Sequence, residues 1–187
     1  MTGGKSSSRQ EMNIGKAKAD IASMIRVNQA GEYGAKQIYK GQLAVMGDDA
    51  PDSGAIRHMA DQEQRHLDAF DRMIVERNIR PTLLQPFWKV AGYALGAGTA
   101  AMGPRAAMAC TAAVETEIDH HYQEQLEALE SENDPELADM IAEFREEELE
   151  HKETALASGA QDAPGYPVLS AAIRLGCRVA IGISKRV

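Results

Sequence analysis

Glu32 is followed 31 residues on by Glu63-x-x-His66, and Glu115 is followed 33 residues on by Glu148-x-x-His151. One unit is thus written twice: a lone acid, then an acid and a histidine three apart and so on one face of a helix. Carboxylates gathered in an apolar interior repel and raise one another's pKa, so four of them need concentrated positive charge beside them. Two divalent cations would supply it. Four glutamates with two Glu-x-x-His pairs are the donor set with which four-helix bundles hold paired iron or manganese ions. Oxygen-rich coordination with one imidazole per ion suits those metals better than it suits structural zinc.

The elements that must position this set read as helices, because strand-like alternation is nowhere sustained while apolar periods of three and four recur. Turn-forming stretches at 47–54, 78–82, 103–104, 131–136 and 161–167 divide the chain. The expected helices span 18–46, 53–77, 83–102, 105–130, 135–159 and 167–183. Each ligand candidate interrupts an apolar stripe. Glu32 lies in line with Ile25, Ala35 and Tyr39; Glu63 and His66 with Ile56, Met59, Phe70 and Met73. Glu115 is in register with Met108, Ile118 and Tyr122, and Glu148 and His151 sit among Leu137, Phe144 and Ala155. If each helix pair folds back at its turn, both halves place their donors roughly 22 Å from that turn, at about 1.5 Å of rise per residue. All six then share one layer.

Single signals of this kind are weak. Glu117-x-x-His120 shows the same spacing by chance, and Glu117 points about 200° around the helix from Glu115, at ~100° per residue, on a face shared with His121 and Glu124. That face is expected to be solvated, as is the one carrying Glu143, Glu146, Glu147 and Glu150. The joint pattern of six residues at matched depth is what carries the argument.

A length of 187 residues suits one well-buried domain, expected over 18–187, behind a polar Gly/Ser-rich tail over 1–17 expected to be disordered. No secretory or transit segment is evident, which points to a bacterial or a trimmed organellar chain. Net charge −8 argues against nucleic acid as a partner. Cys110 and Cys177 are too few and too far apart for a disulfide framework, so a reducing compartment is expected.

The stretches "RVNQAGEYGAKQIYKGQ", "DQEQRHL", "RPTLLQPFWKVAGYALGAGTAAMGPRAAMACTAAVE" with "HHY", and "FREEELEH" resemble the demethoxyubiquinone hydroxylases of ubiquinone biosynthesis. The likeness covers nearly the whole chain after about residue 20. It implies an all-α, ferritin-like four-helix bundle with two additional membrane-facing helices. It also implies two iron ions held by Glu32, Glu63, His66, Glu115, Glu148 and His151, with Glu63 and either Glu115 or Glu148 as bridging candidates. The implied reaction is a monooxygenation of the ring of a lipid-tailed quinone, 2-polyprenyl-3-methyl-6-methoxy-1,4-benzoquinone, with O2 as oxidant and NADH as electron donor. Asn28-Gln29 stands where the family often has Asp-His, which bears on what surrounds the ligands and not on the ligands themselves. No Gly-x-Gly-x-x-Gly unit is present, so the nicotinamide would bind without a Rossmann domain, with Arg26, His121, Tyr122 and Arg178 as its contact candidates.

A membrane-borne substrate fits the charge distribution. No Asp or Glu occurs over 77–114 or over 163–187, and these two stretches hold eight Lys and Arg. Basic apolar surface is what an anionic leaflet attracts. The longest charge-free run, 90–104, has 15 residues, short of the roughly 20 needed to span a bilayer. Peripheral seating follows, on the cytoplasmic face of a bacterial inner membrane or the matrix face of the mitochondrial one. The protein partners expected are other ubiquinone-biosynthesis proteins or a second copy of the chain. Three rival readings are a ferritin-like ferroxidase, which would have no use for a basic apolar seat; a di-iron hydroxylase acting on tRNA, against which net charge −8 weighs; and a helical membrane-associated scaffold whose inward acids are merely paired.

Overall fold

The computed structural model describes residues 5–186, with side chains from residue 21 onward. Among the described residues there are six α-helices and no strand: α1 Lys5–Met46, α2 Ser53–Glu76, α3 Gln85–Ala101, α4 Pro104–Leu129, α5 Pro135–Ala157 and α6 Tyr166–Ser184, with a 3-10 turn at Ala160–Asp162. The all-α expectation holds, and five of the six helices fall within two residues of their expected starts. The exception is α1, which begins well before the expected residue 18, inside the segment read as a tail; residues 1–4 lie outside the described residues.

Local chemistry explains the breaks. Proline stands in the first turn of α3, α4, α5 and α6, where its fixed φ suits a helix start and its missing N–H is no loss. The α5 start is further held by Asp134, whose carboxylate accepts from the backbone N–H of Leu137 at 3.3 Å. The same carboxylate pairs with Arg77 at the end of α2, tying the two helix ends together.

α1 packs on α2 and α4 on α5 as two hairpins, with α3 laid along α1 and α6 along α4. Buried apolar residues fill the bundle on both sides of the ligand layer. One cluster contains Tyr39, Ile56, Met59, Met108 and Ala155; another contains Ile25, Phe70, Tyr122, Ile141 and Phe144. Water is therefore excluded from both ends of the site.

Backbone contact between α1 and α3 depends on missing side chains. A Cβ on Gly96 would lie 1.9 Å from the carbonyl oxygen of Ile38, and one on Gly41 would lie 2.2 Å from that of Tyr93. Neither backbone atom can swing aside as a side chain would. Gly96→Ala should accordingly destabilise the fold by about 1–3 kcal/mol, the usual range for overpacking. Gly98→Ala, two residues away with nothing within 4 Å of the added methyl, should be neutral or stabilising. Denaturant midpoints of the two variants check this; equal destabilisation would mean that the close approach is not what Gly96 provides.

Candidate metal centre

Each hairpin delivers its half of the site through the helix faces that the apolar stripes define. Glu32 comes from α1, Glu63 and His66 from α2, Glu115 from α4, and Glu148 and His151 from α5. All six side chains are buried, none more than 2% exposed. They form two overlapping groups, Glu32, Glu63, His66 and Glu148 in one and Glu63, Glu115, Glu148 and His151 in the other. Within each group one donor atom per residue lies within 4.8 Å of the rest. Glu63 and Glu148 belong to both groups.

The two halves are closely matched. Tyr122 on α4 donates to Glu32, and Tyr39 on α1 donates to Glu115 at 2.5 Å, so each lone acid receives a phenol from the opposite hairpin. Burial and the surrounding carboxylates raise both phenols well above their ordinary pKa, which keeps them protonated as donors. Each histidine turns Nδ1 inward. His66 Nδ1 lies 3.2 Å from Glu148 and 3.5 Å from Glu32; His151 Nδ1 lies 3.1 Å from Glu148 and 3.3 Å from Glu63. The outward nitrogens are occupied: His66 Nε2 is 2.8 Å from Glu147, and His151 Nε2 is 3.0 Å from the amide oxygen of Gln62. With Nε2 donating its proton outward, the Nδ1 lone pair is free to coordinate. The imidazole of His66 is also stacked on Phe144, ring centroids 4.0 Å apart.

Several buried donor atoms have no hydrogen-bond partner: both oxygens of Glu63, one each of Glu32, Glu115 and Glu148, and His66 Nδ1. Buried polar atoms are normally satisfied, so unmatched oxygens converging with an imidazole nitrogen fit cations between them. Without metal the site is electrostatically strained. Burial and the Glu148 charge hold the Glu63 and Glu115 carboxyls well above the carboxylate range. Burial opposes charging of His66, yet the Glu148 and Glu32 carboxylates beside it carry it up to about 11. Burial likewise opposes the Glu148 charge, but His151 and His66 hold it down to about 2.

These shifts fix a sign. Acids whose pKa is raised on folding lose stabilisation as pH climbs above their unfolded value of 4.5, and the His66 contribution, complete below 6.5, is lost as pH rises toward about 11. The Glu148 contribution is complete above 4.5 and is lost as pH falls toward about 2, outside that window. Chelated protein should therefore melt at progressively lower temperature from about pH 5 to about pH 9, and metal-loaded protein should show much less of this slope. Thermal melts with and without chelator measure it; parallel slopes would count against metal occupancy of the cluster.

Two outer faces differ from expectation. Glu117 is buried at 4% exposure, because α6 covers that face of α4 and brings Arg174 to 2.5 Å and Arg178 to 3.6 Å from its carboxylate. His120 is exposed, so the chance motif does not assemble. Glu147 is not a freely solvated acid but the partner of His66 and, at 2.8 Å, of Arg65. Its signal was present in the sequence: Gln62 and Glu147 each immediately precede the acid of a Glu-x-x-His pair. Asn28 and Gln125 are paired amide to amide at 2.8 Å between α1 and α4, and Gln29 donates to Asp71 at 2.9 Å, so neither residue of Asn28-Gln29 touches the cluster.

An apolar cavity of about 510 Å³ runs between α1, α3, α4 and α6. Its walls include Gly34, Ala35, Trp88, Val114, Ile173 and Gly176, and Gly31 and Val114 immediately precede Glu32 and Glu115. Of the nicotinamide contact candidates, Tyr122 is committed to Glu32. His121 is buried against Gln125, with burial first and Lys185 second lowering it to about 4. Arg26 donates to the Arg80 carbonyl at 2.8 Å, while Arg178 is more than half exposed.

Residues 19–184 match the family described as "Ubiquinone biosynthesis protein COQ7". The chain belongs to this family. Its relatives include the 3-demethoxyubiquinol 3-hydroxylase of Rhodospirillum rubrum, 52% identical across 89% of this chain and 78% of that protein. The human NADPH-dependent 3-demethoxyubiquinone 3-hydroxylase, mitochondrial, is 49% identical across 93% of this chain and 80% of its own. The 5-demethoxyubiquinone hydroxylase, mitochondrial, of Saccharomyces cerevisiae is 40% identical across 94% and 82%. The family expected from the motifs is the one found, and with it the expectation of an enzyme.

Proposed function

We propose that this COQ7-family chain hydroxylates the ring of a demethoxyubiquinone or its quinol, 2-polyprenyl-3-methyl-6-methoxy-1,4-benzoquinone, at a pair of iron ions held by Glu32, Glu63, His66, Glu115, Glu148 and His151. The observation that carries this reading is a buried cluster of unsatisfied carboxylates and imidazoles in a bundle that also holds an apolar cavity walled by the chain neighbours of Glu32 and Glu115. When bound, the iron supplies the activation of O2 and the oxidising power. The residues do the rest. Glu63 and Glu148 reach both positions, Glu32 with His66 and Glu115 with His151 complete one each, and Tyr122 and Tyr39 hold the lone acids in place. The two apolar layers keep bulk water from the ring and the oxidant.

Electrons come from a reduced nicotinamide. The mammalian relatives are named as NADPH-dependent, whereas the resemblance alone suggested NADH. Of the contact candidates the two cations are Arg178, exposed on α6 and near Glu117, and Arg26, partly buried on α1 with its Nε on the Arg80 carbonyl.

The quinone enters from a membrane on which the protein sits peripherally through α3 and α6. Phe87, Val90 and Tyr93 on α3 and Val168, Leu175 and Val179 on α6 are exposed apolar side chains on the helices that wall the cavity. α6 is also long and apolar enough to cross a membrane by length and composition, with mean hydropathy 1.4. The ion pairs of Arg174 and Arg178 with Glu117 hold it against α4 instead, which favours seating on the surface. The membrane is the inner membrane, met from the cytoplasmic side in a bacterium or from the matrix in a mitochondrion; the other partners are O2, and ubiquinone-biosynthesis proteins or a second copy of the chain.

Incubation of iron-loaded protein with a short-tailed demethoxyquinone, NADPH or NADH, and isotopically labelled O2 tests the reading. The new ring hydroxyl should carry the label. A ferroxidase would consume O2 with iron and leave the quinone unchanged, and label arriving from water would replace monooxygenation by hydration of the ring.

A further inference from the structure

The two halves of the site share one pattern of support and differ in the charge of the group that holds each histidine from behind. Each lone acid has its tyrosine, each histidine turns Nδ1 inward, and each histidine is held through Nε2 by the residue preceding the other half's Glu-x-x-His acid. For His151 that residue is Gln62, a neutral amide. For His66 it is Glu147, a carboxylate. A carboxylate behind an imidazole pushes electron density toward the coordinating nitrogen and stabilises the added positive charge of a bound cation, whereas an amide oxygen does this more weakly. Arg65 shares the Glu147 carboxylate at 2.8 Å and 3.0 Å but is half exposed, so solvent screens its counter-charge while Glu147 remains largely covered. Gln62 Nε2 also donates to Glu147 at 3.3 Å, so both histidine supports form one continuous strut across the two hairpins.

We propose that the two metal positions are intrinsically unequal: Glu147 acts as a positioning residue that makes the position containing Glu32 and His66 the tighter one, so that it fills first. The position containing Glu115 and His151, backed by Gln62, fills second. This rests on the metal-binding reading of the cluster. A single charge difference at symmetry-matched positions sets the order of assembly, and it lies outside the six ligands themselves.

Anaerobic titration with Co(II), followed by calorimetry and by the visible bands of bound Co(II), tests it. Two steps alone are not sufficient, since a first cation repels a second even at equal sites. His151→Ala, which leaves the Glu147-backed histidine, should keep the tight step, and His66→Ala should keep only the weak one, about 10- to 100-fold weaker. Glu147→Gln, nearly isosteric, should weaken the tight step by a similar factor. The exchange variant Gln62→Glu/Glu147→Gln should reverse the order, so that His66→Ala in that background retains the tighter step; a merely structural role for Glu147 would not reverse it. Equal affinities in the two histidine variants, or an unchanged order after the exchange, would overturn the inference while leaving the metal centre standing. If Glu147→Gln folds and the exchange variant does not, an unweakened tight step in Glu147→Gln overturns it by itself. Absence of Co(II) binding in the unaltered protein would overturn the metal reading and this inference together.

Discussion

Glu148→Ala should leave the protein with almost no iron, whereas Glu32→Ala or Glu115→Ala should each leave about one of the two ions that the site is read to hold. The difference follows from membership: Glu148 belongs to both donor groups, and each lone acid belongs to one. Glu148 also lies within 3.2 Å of both inward imidazole nitrogens, so its loss removes the charge that holds the two halves of the cluster together. Partial loss from a lone-acid variant leaves one position with its histidine, its own acid and both shared carboxylates. Metal analysis after anaerobic loading with Fe(II) and removal of free iron measures this, with far-UV circular dichroism to establish that each variant is folded. Glu117→Ala is the informative control, since it loosens α6 from α4 through Arg174 without touching the cluster and should retain both ions. A Glu148→Ala protein that keeps as much iron as Glu115→Ala would make Glu148 a terminal ligand.

The ligand layer was legible because it breaks a rule. An acid on an apolar stripe is a local inconsistency, and four such acids at matched depth read as a site before any coordinates exist. The hairpins, the six helices and the convergence of all six residues follow from periodicity and turn positions, which are properties of one helix and its neighbour in sequence. The outer faces were not legible for the complementary reason. Phasing gives the angle of Glu117 relative to Glu115 correctly, but it does not say what covers that side of α4; α6, about 50 residues later, does so with Arg174. Glu147 was misplaced as solvated because it stands one position from Glu148, about 100° around the helix, and only the approach of α2 turns that edge into a support for His66. The Gly-rich run over α3 gave its apolar character away but not its use, since the contact of Gly96 with Ile38 involves backbone atoms that no side-chain pattern reports.

Gly34→Leu should separate stability from turnover in opposite directions. Gly34 lies inside α1 and lines the apolar cavity, and a Cβ built there meets nothing within 4 Å. Replacing an interior helical glycine by leucine removes backbone freedom from the unfolded chain and should stabilise the helix by up to about 1 kcal/mol. The leucine side chain, however, then occupies space beside Ala35, three residues from Glu32, where the reading places the quinone ring. Misplacing a substrate by about 1 Å is enough to lower turnover about 100-fold, and a ring displaced by an isobutyl group should lose at least that much in kcat/KM. Gly176→Leu, from the α6 wall of the same cavity and equally free of neighbours, should act in the same direction. Iron content should stay unchanged in both, because neither side chain enters the donor groups. Equilibrium unfolding, metal analysis and quinone turnover on the same preparations give three independent readouts. Full turnover in both leucine variants, with iron retained, would show that the quinone reaches the cluster by a route other than this cavity, and a loss of iron would show instead that the α1 wall helps to hold the ligand layer.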